Sequence, residues 1–244
     1  MTGLVVFCVT YVLISARRTG WLRVDRPGGA LLGAVACVAV GVLTPDEAIA
    51  SIDVNTLLLL FGMMGMGAYL GADGFFERAG DALAHWAGSP QKLLGAIVWS
   101  AGLLAALITN DAVCVLGAPL VVRLVQRHRL PPLPYLLALA TAANTGSAAT
   151  LVGNPQNMLC ANLGGLLYRE HLLLVGPAAL AGLAINHLLV WAPFRDQLGG
   201  ALKTEEPGPV LTRRSSITLL AIAGAAALYT AGTHLAWTAA AGCA

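Results

Sequence analysis

From residue 130 to residue 168 the chain runs 39 residues without a charged side chain. As one α-helix this stretch would be about 58 Å long at 1.5 Å per residue, nearly twice the roughly 30 Å hydrocarbon core of a bilayer. It is too long for one ordinary crossing, and Pro131-Pro132, Asn144-Thr145-Gly146-Ser147 and Gly153-Asn154-Pro155 interrupt it. The rest of the chain has the same character, 57% hydrophobic and 11% charged, against about 25% charged in an average soluble domain. A soluble chain of 244 residues could not cover its surface with 26 charges. A net charge of +2 is too small for a phosphate footprint, which excludes a nucleic-acid partner. The remaining class is an all-α polytopic membrane protein with the lipid bilayer as its partner.

Uncharged runs locate the candidate spans at 2–15, 28–43, 54–72, 172–194 and 217–244. No basic n-region precedes the first run, so it reads as a retained span rather than a cleavable signal peptide. Two further runs, 93–109 and 112–122, are separated by Asn110-Asp111. With the N-terminus outside, thirteen of the fourteen Lys and Arg residues fall on the inner side, Arg169 being the exception. That placement follows the positive-inside rule and predicts a multi-pass protein of a bacterial inner membrane. It also puts both ends of 91–123 on one side, so this segment is a hairpin. A re-entrant hairpin with Asn110-Asp111 at its tip fits the lengths better than two full crossings. Residues 74–90 alternate Phe75, Phe76, Leu83 and Trp86 with Glu77, Arg78, Asp81 and His85, the pattern of an amphipathic helix at the inner interface. The expected architecture is about six crossing segments, one re-entrant hairpin and one broken helix over 134–168.

Non-helical backbone inside a membrane is tolerated only where protein buries it or a cavity adjoins it. Two such breaks occur, Thr109-Asn110-Asp111 and the stretch 144–157, which reads NTGSAATLVGNPQN. Asn154 and Pro155 form an N-cap and N1 pair for a restarting half-helix. Interrupted helices offer carbonyls to a cation and helix N-termini to an anion. An ionisable group such as Asp111 at membrane depth is costly and marks function. If ionised it disfavours an anion beside it and favours a cation, a proton or a neutral solute. The weaker features read structurally. Gly62, Gly65, Gly67 and Gly71 permit close helix packing, and Asn186-His187 forms an interhelical hydrogen bond more readily than a proton relay. His171 and His234 lie near the outer interface. The five cysteines are small buried apolar side chains, neither disulfides nor metal ligands.

The segment LITNDAVCVLGAPLVVRL, followed by ATAANTGSAATLVGNPQN, resembles the ion transporter superfamily, the group of arsenite permeases and divalent-anion/sodium symporters with a citrate-transporter-like domain. Asn110 and Pro119 match that family's hairpin tip and the helix after it. Gly146, Ser147, Thr150, Gly153, Pro155 and Asn157 match its broken helix. The resemblance covers roughly residues 28–194. It implies a secondary transporter, not an enzyme, that moves a small anion or arsenite-like oxyacid by alternating access with sodium or proton coupling. It implies substrate and ion contacts at Thr109, Asn110, Asp111, Thr145, Gly146, Ser147, Asn154 and Asn157. Sodium as the coupling ion would sit at Asn110, Ser147 and Asn154.

The family carries two inverted repeats, and this chain shows one hairpin and one broken helix. Residues 1–194 therefore read as a first repeat, 195–214 as a cytoplasmic linker and 215–244 as the first span of an incomplete second repeat. One alternative is a nonconducting half that works with a partner or as a homodimer. Another is a membrane-embedded hydrolase using Ser147 and His187, disfavoured because no nucleophile elbow, HExxH or paired catalytic carboxylates occur.

Overall fold

A computed structural model describes residues 1–15, 25–202 and 206–244, and every regular element among them is helical. Arg17, Arg18, Arg23 and Lys203, on which part of the inside–outside assignment rests, lie outside the described residues. Among the described residues three helices are long and apolar enough to cross a membrane, Val54–Ala72, Pro90–Leu107 and Tyr168–Gln197, and Thr2–Ser15 and Arg26–Ala39 are shorter apolar helices. The chain divides into two compact units, Met1–Val54 and Asn55–Ala244.

In the first unit, α1 (Thr2–Ser15) packs on α2 (Arg26–Ala39), and a short α3 (Pro45–Ala50) follows. The Asp25 carboxylate accepts a 2.9 Å hydrogen bond from the Gly28 N–H, fixing the start of α2. Thr44 and Glu47 form a reciprocal capping box at α3, which satisfies two N–H groups that a helix start otherwise leaves unpaired. No residue of α1 is buried, as suits a helix whose sides meet lipid.

The second unit holds α4 (Val54–Ala72), α5 (Phe75–Ala87), α6 (Pro90–Leu107), α7 (Asn110–Arg127), α8 (Pro132–Ser147), α9 (Pro155–Gly164), α10 (Tyr168–Phe194), α11 (Arg213–Thr230) and α12 (Leu235–Cys243). Its core is the packing of α6 against α8, with α7 and α10 alongside. Leu93, Leu94, Val98, Tyr135, Ala138, Ala142 and Leu183 are buried there. The glycines of α4 act as expected. A Cβ at Gly62 would lie 2.5 Å from the Ala239 carbonyl carbon of α12, and one at Gly71 would lie 2.9 Å from Leu116 of α7.

Several boundaries differ from the sequence expectation. The second leg of the hairpin is an 18-residue helix reaching Arg127, not the 11 residues of 112–122. Its terminal arginines are helical surface charges, with Arg123 on Glu77 at 2.7 Å and Arg127 on Asp81 at 3.4 Å. The spacing of four on both helices lines up the two pairs. The run 134–168 is α8 from Pro132, α9 to Gly164 and then the start of α10, because Gly165 at φ 61 ends α9. The run 217–244 is two helices, divided where Gly232 takes φ 88. None of the five cysteines is buried, although all are free. Asn186 Nδ2 is buried without a partner, so the expected interhelical hydrogen bond does not form at that atom. The His187 ring lies instead against Gly95 of α6.

A polar clasp joins the end of α4 to the start of α11. Arg78 Nη2 donates to Asp73 Oδ2 at 2.7 Å and its Nε to the Val210 carbonyl at 3.0 Å. The Thr212 hydroxyl, which also caps α11, donates to the same Asp73 oxygen at 2.6 Å. The Thr212 hydroxyl, and after it Arg78, hold the Asp73 carboxyl below the ordinary carboxylate range against the opposing effect of burial. A carboxyl depressed in the folded state contributes stability that is complete above its unfolded value of about 3.9 and is lost as pH falls through the lower folded value. Limited proteolysis from pH 5 downward should therefore show cleavage near residues 206–212 rising below about pH 4. Asp73→Asn should remove that acid dependence.

Candidate functional site where the hairpin tip meets the broken helix

The tip is built by a short extended segment between two helices. α6 ends at Leu107, and Thr109, at φ −162 and ψ 150, turns the chain into α7. Its hydroxyl accepts from the Ala112 N–H at 3.2 Å, and the residue is fully buried. The break is built the same way. α8 ends at Ser147, and Asn154 caps α9 by accepting from the Asn157 N–H at 2.8 Å, with Pro155 following. Thr and Asn suit these positions because a short side-chain oxygen satisfies an orphan N–H of the new helix.

Tip and break are in direct contact. The Asn110 N–H donates to the Gly153 carbonyl at 2.9 Å. Asn110 Nδ2 donates to Asn144 Oδ1 at 3.0 Å. The Thr150 hydroxyl donates to the Ala106 carbonyl at 2.7 Å. The close approach needs glycine at two places, since a Cβ on Gly146 would fall on the Gly102 carbonyl and one on Gly153 on the Ser147 carbonyl.

Of the predicted residues, Thr109, Asn110, Gly146, Ser147, Asn154 and Asn157 come together around this contact. Ser147 Oγ donates to the Asn144 carbonyl at 2.9 Å and Asn154 Nδ2 reaches Ser147 Oγ at 3.4 Å. Asn157 Nδ2 donates to the Thr150 carbonyl at 2.8 Å. Thr145 is elsewhere, its hydroxyl on the Thr141 carbonyl at 2.8 Å and its methyl against Gly182 of α10. Asp111 is exposed in the first turn of α7, with no hydrogen bond or ion pair among the described residues. Two contributors were missed. Asn144 is the direct partner of Asn110. His171, expected at the outer interface, brings Nε2 to 3.0 Å from the Ala148 carbonyl in the break. Only the register between helices, not any local motif, reveals either.

The hydrogen-bond directions give the site its character. Asn144 Nδ2 is committed to the Ala140 carbonyl at 2.9 Å, so Asn144 turns its oxygen toward Asn110. Asn110 must then present its amide nitrogen, which leaves Asn110 Oδ1 buried without a partner. The hydroxyl protons of Thr145, Ser147 and Thr150 are all given to carbonyls. Their lone pairs, Asn110 Oδ1 and the Asp111 carboxylate remain as acceptors and outnumber the spare donors, one N–H each on Asn110 Nδ2 and Asn154 Nδ2. The N-termini of α7 and α9 favour negative charge nearby, and Asp111 already supplies it at α7. A half-site of this kind accepts hydrogen bonds or coordinates a cation. An unpartnered buried acceptor costs about 1–3 kcal/mol unless something donates to it.

A family profile described as citrate transporter matches residues 11–243. The chain is 40% identical over 205 residues to a silicon efflux transporter of rice, covering 84% of this chain and 42% of that protein. It is 29% identical over 197 residues to a transporter designated arsB from Dictyostelium discoideum, covering 80% and 35%. An uncharacterised transporter of Mycobacterium tuberculosis is 32% identical over 199 residues, covering 78% and 44%. The chain thus spans about two fifths of the length of the curated relatives it matches.

Proposed function

Because the chain belongs to the citrate transporter family, we propose that it is the first repeat of a secondary transporter that moves a small oxyacid by alternating access. It is a membrane transporter rather than an enzyme. Ser147 accordingly spends its proton on a backbone carbonyl and His187 lies against α6. In this reading the N-terminus is outside, α6 and α7 form a re-entrant hairpin among about six crossings, and the protein sits in a bacterial inner membrane. Residues 1–194 are the repeat, 195–214 the inner linker and 215–244 the start of a second repeat. Substrate and coupling ion, sodium or proton, meet Asn110, Asp111, Ser147, Asn154 and Asn157, with Thr145 and Gly146 shaping the α8 wall.

The observation that carries this reading is the excess of free acceptors at the tip, above all the buried Asn110 Oδ1. An undissociated oxyacid has O–H groups to donate to them, and sodium can be coordinated by them. A fully ionised anion can do neither. The names of the rice and Dictyostelium relatives point the same way. The residues present fit sodium as an oxygen-coordinated ion, which would supply positive charge beside Asp111.

In mild detergent at pH 7, sodium chloride should raise the melting temperature relative to choline chloride. Trivalent arsenic oxyacid or silicic acid should raise it further. Stabilisation by citrate in choline buffer with no response to sodium or the oxyacids would overturn the assignment.

A second reading, a half that functions only in a dimer, is favoured by exposed polar groups on the same face. Thr141, Asn144 and Asp111 are all exposed in this unit, and polar groups at membrane depth are not left against lipid. Light scattering separates the two, since a dimeric mass with sodium-dependent stabilisation supports this reading and a stabilised monomer counts against it.

A further inference from the structure

Resting on the site proposed above, we infer that His171 is a positioning residue that holds the break in its binding shape from the outer end of α10. The break is weakly held by its own backbone. The Ala149 N–H reaches the Gly146 carbonyl at 3.0 Å, but the next two bonds, Thr150 N–H to Ser147 O and Gly153 N–H to Thr150 O, are 3.5 and 3.4 Å. Bonds of that length contribute little. Side chains supply the shorter contacts, Thr150 on Ala106 O at 2.7 Å and Asn157 on Thr150 O at 2.8 Å.

The first turn of α10 adds one more. Tyr168 and His171, three residues apart, lie on one side of that turn. His171 Nε2 lies 3.0 Å from the Ala148 carbonyl. A carbonyl can only accept, so Nε2 carries the proton. Tyr168 is itself fixed by Tyr229 of α11, with ring centroids 5.4 Å apart, and the Tyr229 hydroxyl reaches Met63 Sδ of α4 at 3.5 Å. The turn therefore links the Ala148 carbonyl of the break, through Tyr168 and Tyr229, to α11 and α4. His171 touches no site oxygen of the tip. It acts by fixing where Ser147 and Thr150 stand.

Amide hydrogen exchange on the full chain in detergent tests this directly. His171→Ala should raise exchange of 148–153 about tenfold while the α6 and α8 core amides stay protected. His171→Gln, whose Nε2 can donate from a similar reach, should return it to within about threefold of the parent. The sodium concentration giving half-maximal thermal stabilisation should rise about tenfold in His171→Ala and recover in His171→Gln. Unchanged exchange in His171→Ala, an equal rise across the core, or no recovery with Gln overturns the role. If the parent itself shows no sodium response, the site assignment fails while the exchange result still decides the clamp.

Discussion

Asn110→Ala should abolish sodium- and oxyacid-dependent stabilisation while leaving helix content and membrane insertion intact. The substitution removes two things of unequal weight. One is the 3.0 Å hydrogen bond from Nδ2 to Asn144 Oδ1, a net contribution of about 0.5–1.5 kcal/mol. The other is Oδ1, the buried acceptor that nothing in the chain satisfies. The backbone N–H of residue 110 still donates to the Gly153 carbonyl, so tip and break remain joined and the fold loses little. A bound cation or a donating hydroxyl loses a contact of the charged-group class, about 1.5–3 kcal/mol, or roughly 10- to 150-fold in affinity. The measurement is the ligand-induced melting shift in mild detergent, with circular dichroism as the control for folding. An unchanged half-saturating concentration in Asn110→Ala would place the site elsewhere. Asn144→Ala should give a milder loss, because it frees Asn110 Nδ2 but keeps Oδ1 in place.

What the sequence made legible was whatever charge and backbone chemistry punctuate. α4 runs from Val54 to Ala72, between Asp53 and Asp73, and was readable to the residue. The break was readable because Asn, Gly and Pro have no reason to interrupt an apolar run other than to stop and restart a helix. The same logic failed at α7. Arg123 closes the uncharged run 112–122, yet it lies within α7 and is paired with a glutamate 46 residues earlier in the chain, which no local pattern encodes. The site divides the same way. Each half was visible as a local motif, whereas the contacts Asn110–Asn144, Thr150–Ala106 and His171–Ala148 join positions 34, 44 and 23 residues apart. Those depend on how α6, α8 and α10 slide against one another. Side-chain volumes set that register, and the largest constraint on it is where glycine permits backbone to meet backbone.

That constraint makes Gly146→Ala the most disruptive small substitution expected in this chain. A Cβ at position 146 would fall on the Gly102 carbonyl of α6. The obstructing atoms are backbone, so no rotamer relieves the overlap and the helices must part. Overpacking of this kind costs about 1–3 kcal/mol, and here the upper end applies. Parting α6 from α8 also stretches the 2.7 Å bond from Thr150 to the Ala106 carbonyl, so the site should loosen with the fold. The control is the glycine that Gly146 faces, Gly102, whose own Cβ direction points at α10. A Cβ at Gly102 would meet the end of the Leu183 side chain at 2.5 Å, and a leucine terminus can rotate away. Gly102→Ala should therefore cost no more than about half as much and keep the sodium response, because the methyl it adds to α6 points at a side chain of α10 and not at backbone of α8. Thermal melts of the two variants in one detergent give the comparison. Equal losses would mean that α6 and α8 do not cross glycine on glycine, and with that the contact between tip and break would have to be redrawn.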